Sequence, residues 1–590
     1  MERNLTILLF TATLFMGVAC EKYSQNQGGG GNEGGGKRLT ELNGTSISQD
    51  CNLIGIVKDI DGNPIPGVPV TDGYTFVQTD KNGVYQMAAS RYARKAYITI
   101  PSGYDVPLDE ENHLPCFFSP GTIVRANQNR NDFVLTPSAA PEDKITLVMV
   151  SDPQCQTAAQ VLRYKNETIP DIQNTLSNNA DKYPNPYAFT LGDITFDSSN
   201  LWEPMKSSMS NLKYGSGYLP FFQCIGNHDH TSTTASDFES TALYFENFGP
   251  TDYSLNRGNV HIIVMDDVIC TSTVTNSSPN RATWNYDGGF TAAQYKWLQQ
   301  DLSYVDKKED KMVVLCLHIP FRAGSSSGGG NVNKGAYYSE VLTLLKQFKE
   351  AHIMIGHTHF PQNYIHNSYK TKSGKPVYEH IHGAACGGWW SCNLNTDGTP
   401  NGYYLYEIDA AKGEMVNWTA KYVNQTFDYQ MRVYNGNQIY TGAKGYRYKW
   451  DVSSNGGAGS YNVGGSSNIF AKGHGALKNA IVAAIWNDDS QNWKVEYYKD
   501  GVKKGDFIRL GDGSCCDICV CSYFFNELGK NTTSWTKSTA SHLWYYVPES
   551  GDPSSEVNWE VKATQTVPSA GTSAENVYSC TSFTTDYTGF

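Results

Sequence analysis

A chain of 590 residues is too long for one hydrophobic core and carries a prior of roughly three or four domains. Aromatic residues make up 13% of it, with 38 Tyr and 55 Gly, a mix that suits many short strands joined by turns rather than a helical bundle. The formal net charge of -12 offers no basic face to a phosphate backbone, which excludes a nucleic-acid binder and leaves any anionic substrate to be drawn by local positive charge.

Arg3 supplies a positive charge, Leu5 to Val18 form an almost unbroken apolar stretch, and small Ala19 precedes Cys20. This is the layout of an export signal, too short for a membrane span, which needs about 20 apolar residues. A small residue followed by Cys resembles a bacterial lipoprotein cleavage site, although Gly17 stands where such sites usually carry Leu. The resemblance implies a signal peptide over residues 1–20, lipid attachment at Cys20, and a chain held on a bacterial membrane, periplasmic or at the cell surface. A plain secretory signal with a buried Cys20 is the alternative. Ser24 to Gly36 offers almost nothing to bury, so residues 21–48 read as a flexible linker. No later segment has the length and apolarity of a span. The 14 Cys permit disulfides in an exported chain, with unreadable connectivity.

Residues 49–139 read as a small β module. Gly55 to Gly73 alternates short β-branched runs with turn clusters, and Asn82-Gly83 predicts a hairpin turn. The pattern resembles the small β-sandwiches beside carboxypeptidases and in surface lipoproteins, which implies a spacer packed on its neighbour. From residue 140 to 382 the texture changes. Ile145 to Ser151 is a continuous apolar run, as a strand buried on both faces requires. Similar runs follow at Tyr187–Leu191, Pro220–Ile225, Val260–Asp266, Met312–Leu317 and His352–Ile355. Helical spacing appears at Thr291–Leu302 and at Tyr337–Lys349, where Val341, Leu342, Leu345 and Phe348 share one face. Strand–helix alternation makes this an α/β domain. Beyond Gly383 the helical signal fades. Tyr403–Ile408 and Val416–Tyr422 look like paired strands, and Trp493–Gly501 is a strand ending in an Asp-Gly turn. Residues 383–590 are therefore expected to form a C-terminal all-β module. Cys515, Cys516, Cys519 and Cys521 crowd one loop, which favours disulfides, with Cys580 as a partner, over structural zinc.

The ends of the apolar runs carry the chemistry. The first ends in Asp152-Pro-Gln154, and the second runs into Gly192-Asp193-Ile-Thr-Phe-Asp197. The third runs into Gly226-Asn227-His228-Asp229-His230. Two later ones end in His318-Ile-Pro and Gly356-His357-Thr-His359. Ligands of α/β sheets bind just outside the carboxyl ends of strands. Oxygen donors and imidazoles delivered there are the set that holds a pair of divalent ions, with one carboxylate able to bridge them. The Gly before Asp193, Asn227 and His357 suits a turn where backbone approaches a ligand. Singly each block is weak, because a Gly-Asp is usually a turn and a strand-end His is usually hydrogen-bonded in a core. All five in order make a metal site.

The order resembles the calcineurin-like metallophosphoesterase superfamily, whose blocks run Asp-x-His, Gly-Asp, Gly-Asn-His-Asp/Glu, His and Gly-His-x-His. It covers Lys144 to Gly383. The flanks, with Gly383-Ala-Ala-Cys-Gly-Gly-Trp-Trp390 and Asp397-Gly-Thr-Pro-Asn-Gly402, look like a bacterial subgroup with N- and C-terminal modules. The implied fold is a central α/β metallophosphoesterase β-sandwich flanked by helices, between a small N-terminal β-sandwich and the C-terminal all-β module. The implied ligands are Asp152, Gln154, Asp193 and His359 for one metal and Asp193, Asn227, His318 and His357 for the other. His228 is implied as transition-state stabiliser or general acid, with Asp229 or another acid orienting it. The implied reaction is hydrolysis of a phosphodiester or phosphomonoester by a hydroxide activated between two divalent ions, Mn, Fe, Zn or Mg.

Gln154 stands where the family usually carries His, so the first site is expected to be weaker and to favour Mn²⁺, Mg²⁺ or Fe²⁺ over Zn²⁺. Phe196 stands where purple acid phosphatases carry a Tyr that binds ferric iron, which points away from that branch. The Gly-Asp block lacks the Arg of protein Ser/Thr phosphatases, leaving a small-molecule or glycan-linked phosphoester as the expected substrate. Arg322 is a candidate phosphate clamp or a surface charge. Gly324 to Gly330 is a lip over the site or a surface connection. Trp389 and Trp390 are candidates for stacking on a sugar or base, against inter-domain packing, and His380 and His382 read as structural. A non-catalytic surface lipoprotein that binds glycan or another ligand is the rival reading, which an intact His228 disfavours.

Overall fold

Each apolar run of the middle region becomes a strand, because the sheet it joins is covered on both sides. The computed structural model describes residues 38–234, 236–271, 285–321, 336–438, 440–441, 447–448, 477, 479–510, 517–528, 540–569 and 572–585. In chain order the central strands are β1 (Lys144–Val150), β2 (Pro186–Leu191), β3 (Phe221–Cys224), β4 (Tyr253–Arg257), β5 (Val260–Val264), β6 (Met312–Cys316), β7 (Glu350–Ile355), β8 (Tyr364–Lys370), β9 (Pro376–Ile381), β10 (Gly402–Asp409) and β11 (Glu414–Tyr422). They form two sheets, ordered β3-β2-β1-β10-β11 and β4-β5-β6-β7-β9-β8. The pairings β1–β2 and β2–β3 are parallel, as are β5–β6, β6–β7 and β7–β9.

Strand β1 shows why its sequence lacks alternation. Ile145, Leu147 and Met149 enter a core shared with Ile262, Val264, Leu315 and Ile353 of the other sheet. Val148 and Val150 point to the opposite face, into a second core with Tyr164, Ile172, Leu176, Trp202 and Met205 of the covering helices. The second sheet is covered by helix α1 (Ala292–Ser303), which buries Trp297, Leu298 and Leu302, and by helix α2 (Tyr338–Leu345), which buries Val341, Leu342 and Leu345. Thr291 begins α1 with a capping box closed by Gln294. The whole is an α/β sandwich flanked by helices, with β modules on both sides.

Strands β10 and β11 pair with each other as expected. Their sheet is the unexpected part. β10 lies antiparallel to β1, so the central sheet continues to Tyr422, past the 383 at which the sequence texture changes. In the N-terminal module the turn at Asn82-Gly83 is present, but it does not close a hairpin. Strand Phe76–Gln78 pairs with Pro69–Thr71, whereas Val84–Met87 pairs with Leu53–Asp59 in another sheet. The module packs on α1: Phe76 meets Trp297 at 5.4 Å between centroids, and Gln300 Nε2 donates to the Tyr74 carbonyl at 2.9 Å.

The C-terminal region adds two four-stranded sheets around Val433, Ile481, Ile485, Tyr497, Trp559 and Val561. The expected turn after Trp493–Lys499 is an Asp500-Gly501 pair at φ 51° and 74°, the two-residue hairpin geometry that leads into Val502–Asp506. One expectation there is corrected. Part of the cysteine cluster is a helix, Ile518–Asn526, capped by Asp517, whose side chain accepts from the N–H groups of Cys519 and Val520. Cys515, Cys516 and the side chain of Cys521 lie outside the described residues. Neither Cys519 nor Cys580 is in a disulfide, so the described residues carry no support for the pairing expected there.

Candidate metal centre

The parallel strands β1, β2, β3, β6 and β7 deliver their carboxyl ends to one edge, and the five sequence blocks begin within three residues of those ends. The chain turns there under strain. Asp152, Gln154, Asp193, His357 and His359 have φ of 45°, 43°, 52°, 69° and 62°. An L-residue in this left-handed region costs roughly 1–2 kcal/mol, so five together approach the net stability of a whole domain. Such a set persists only where surrounding contacts over-determine it. Those contacts run between blocks. The N–H of His357 donates to the Asp152 carboxylate at 3.0 Å, that of His228 to Asp193 Oδ1 at 2.8 Å, and that of Gln154 to the Asp193 carbonyl at 2.8 Å. The three glycines before Asp193, Asn227 and His357 have no room for a side chain. A Cβ on Gly226 would lie 2.2 Å from the Asp193 N, and one on Gly356 would lie 2.6 Å from the Leu191 carbonyl.

The donor atoms converge. One ligand atom each from Asp152, Asp193 and His318 lie within 4.8 Å of one another, a buried group that fits a metal ion. Asn227 Oδ1 lies 3.0 Å from both His318 Nε2 and His357 Nδ1, which are 3.2 Å apart. His359 Nε2 is 3.5 Å from Asp152 Oδ1. Gln154 donates Nε2 to Asp193 Oδ2 at 2.7 Å, while its Oε1 is buried with no hydrogen-bond partner. Lone-pair donors packed this closely, with an orphaned amide oxygen among them, fit a divalent cation better than they fit each other. All seven residues expected as ligands therefore meet at one place.

The electrostatics agree. Burial pushes His357 down to about 3 and His359 down to about 4, which keeps both imidazoles neutral and able to donate a lone pair. Burial opposes the charge on His318 too, but Asp193 outweighs it and raises the ring. His318 Nδ1 faces the Leu191 carbonyl at 2.8 Å, which leaves Nε2 turned to the donors. Burial also opposes ionisation of Asp193, yet His318 and His228 together hold its carboxyl well below the usual value.

His228 sits beside this group, with Nε2 4.0 Å from Asp193 Oδ2 and one ring face covered by Phe196 at 3.9 Å. Of the acids left open for holding it, Asp229 is not the one. Asp229 turns inward and accepts from the N–H groups of Gly226, Ile194 and Thr195 at 3.0, 3.1 and 3.3 Å, clamping two blocks together. Asp197 takes the role instead, with Oδ1 3.1 Å from His228 Nδ1. Sequence reasoning also passed over Asp267, whose carboxylate accepts from the N–H groups of His318 and Ile319 at 3.1 and 3.0 Å. It follows the apolar run Val260–Asp266, the one strand end to which no role was given.

The two tryptophans separate. Trp390 is buried, donates Nε1 to the Pro153 carbonyl at 2.7 Å, and lies under Arg163, so it anchors. Trp389 is half-buried, with its ring 5.1 Å from that of His359. His380 and His382 are buried and bonded within the core, to His352 and to Tyr406 and the Ile355 carbonyl. Arg322, Gly324–Gly330 and Cys20 lie outside the described residues. Among those residues no helix is long and apolar enough to cross a membrane.

Comparison with known proteins divides the chain in three. Residues 145–361 match the family model for calcineurin-like phosphoesterase, residues 52–138 the model for its N terminal, and residues 379–568 the model for its C terminal. Over 203 residues the chain is 23% identical to probable purple acid phosphatase 20 of Arabidopsis thaliana, a match covering 32% of this chain and 43% of that one, so it spans less than half of that relative. Among solved structures it is similar to purple acid phosphatase PPD1 from yellow lupin (Lupinus luteus) seeds, at 13% identity and a TM-score of 0.32 over 48% of this chain and 53% of the other. It is also similar to the NAD nucleotidase NadN of Haemophilus influenzae, at 12% identity and a TM-score of 0.23 over 48% and 55%.

Proposed function

Because the chain belongs to the calcineurin-like phosphoesterase family, with that family's own N- and C-terminal domains on either side, we propose that it hydrolyses a small or glycan-linked phosphoester outside the cytoplasm, tethered to a membrane through Cys20. The observation that carries the reading is the meeting of Asn227 Oδ1, His318 Nε2 and His357 Nδ1 within 3.2 Å beside a buried pair of carboxylates.

Asp152, Gln154, Asp193 and His359 would hold one ion and Asp193, Asn227, His318 and His357 the other, Asp193 serving both. Divalent ions in such a pair supply Lewis acidity and lower the pKa of water toward neutrality. The protein does the rest. Asp197 Oδ1 accepts a hydrogen bond from His228 Nδ1–H and fixes the ring, so that Nε2 is left to serve the leaving oxygen of the ester. Phe196 covers one face of that ring and restricts its rotation. Asp229 and Asp267 fix the backbone of the blocks from which these side chains project.

The test is turnover of bis(nitrophenyl) phosphate and nitrophenyl phosphate with Mn²⁺, with chelator, and with Asp193→Asn and His228→Ala. Loss of activity on chelation and in both variants is expected, and activity that survives both substitutions would overturn the site. The ratio of diester to monoester rates assigns the subclass. Cys20→Ser is expected to release the protein from membranes into the soluble fraction.

A further inference from the structure

Three aromatic rings each lie against a different histidine of the site. Phe196 covers His228 at 3.9 Å between centroids, Tyr286 meets His357 edge-on at 6.3 Å, and Trp389 tilts over His359 at 5.1 Å. All three residues are half-buried. They come from separate places in the chain: the turn after β2, the strand Tyr286–Gly288, and the turn after β9.

Trp389 is held there at a cost. Trp389 and Trp390 are consecutive non-glycine residues at φ 47° and 62°, in a conformation that raises each by roughly 1–2 kcal/mol and that glycine would adopt without strain. The surroundings enforce it through Trp390. Its Nε1 donates to the Pro153 carbonyl at 2.7 Å, its own carbonyl accepts from Arg163 Nη1 at 2.6 Å, and its ring meets Tyr164 edge-on at 6.2 Å. Pro153 stands between Asp152 and Gln154, so this anchor ties the tryptophan turn to the first sequence block of the site. Trp390 is thereby a positioning residue for Trp389.

Taking the phosphoesterase reading as given, we propose that Phe196, Tyr286 and Trp389 form an aromatic collar that selects phosphoesters carrying a planar ring, aryl or nucleoside, with the ring stacked on Trp389. A planar π face gains about 1–3 kcal/mol on an aromatic side chain, independently of base or ring identity. A small alkyl substituent has too little surface to gain as much. The collar also lowers the local dielectric around His228, His357 and His359, which strengthens every charge interaction on the phosphoryl group.

The experiment is calorimetric titration of the Mn²⁺-loaded full chain with phenylphosphonate, cyclohexylphosphonate and methylphosphonate, which share a headgroup and are not hydrolysed. Phenylphosphonate is expected to bind at least about tenfold more tightly than methylphosphonate, and more tightly than cyclohexylphosphonate. Trp389→Ala is expected to bring the phenyl-to-methyl ratio within about twofold, and Trp389→Phe to keep most of it. An adenosine 5′-phosphorothioate arm separates the two ring sources: tighter binding than phenylphosphonate assigns a nucleoside, weaker binding an aryl group. Equal affinities for the phenyl and methyl compounds in the native chain would overturn the collar. So would a saturated ring that binds as well as the planar one, or a ratio that survives Trp389→Ala. Because these are binding measurements, the collar can fail while bis(nitrophenyl) phosphate is still turned over. Absence of turnover fails the parent reading instead.

Discussion

His228 has two carboxylates nearby, Asp229 next to it in the chain and Asp197 31 residues before it, and they do opposite things. Asp197 faces its Nδ1 from the surface side, whereas Asp229 is buried and spends its oxygens on three backbone N–H groups. Asp197→Asn is expected to lower kcat by about ten- to hundredfold with metal content unchanged. Asp229→Asn puts an amide N–H₂ against backbone donors, so it is expected to lower Tm and metal content together. Metal analysis beside kinetics distinguishes the two, and an Asp197 variant with native kcat would return the role to another acid. A second substitution addresses the metals. Gln154→His replaces an amide oxygen by an imidazole and is expected to tighten Zn²⁺ at the weaker site, narrowing the gap between two binding steps in a titration. The convergence of the seven residues expected as ligands was legible because strand-end position and chemical type coincide in all five blocks. The partner of His228 was not. The sequence left Asp229 or another acid open, because the direction of Asp229 is decided by the turn through Gly226, which faces its carboxylate to the backbone of the second block. Asp267 was within reach of the strand-end rule, since it follows its apolar run just as Asp152 and His318 follow theirs.

At the scale of elements, the turn after the tryptophans joins the central sheet to the C-terminal module. Gly398 has φ of 95°, and a Cβ there would lie 2.5 Å from Asp517 Cγ, the capping residue of helix Ile518–Asn526. Arg432 Nη1 donates to the Gly398 carbonyl at 2.8 Å and ties the turn in place. Gly398→Ala is expected to destabilise by about 2–5 kcal/mol, from overpacking together with left-handed strain. It should read as a lowered Tm, and a native Tm would mean that Asp517 and its helix move freely. The strands themselves were legible from their unbroken apolar runs. Which sheet β10 and β11 join was not, since pairing with β1 across so much chain leaves no local trace. The Asn82-Gly83 turn failed for the same reason: the dipeptide specifies a reversal but not that both flanking strands stay together.

Across the whole molecule, burial leaves acids whose protonation is tied to folding. Burial pushes Asp397 up to about 7 despite the N–H and hydroxyl that Thr399 donates to it. In the unfolded chain the same carboxyl loses its proton near 3.8. The folded state therefore binds the extra proton between these values, and its stability falls as pH rises from about 4 to about 7. Asp397→Asn removes that contribution, so the Tm of the variant is expected to gain on that of the native chain over this interval. A constant difference would show that Asp397 is ionised in the fold. Sheet order makes a further demand. A chain ending at 382 leaves the apolar edge of β1 open and is expected to aggregate, whereas one ending at 428 keeps β10 and β11 and is expected to be the more soluble of the two. The same pairing sets a timetable. Lys144 of β1 waits for Asp409 of β10, about 265 residues later, so the strand that leads into Asp152 has only one neighbour while that length of chain is being synthesised. Firm capture of an ion at its end is therefore expected only after translation has passed well beyond the site, and a chain terminated before β10 is expected to meet a protease first.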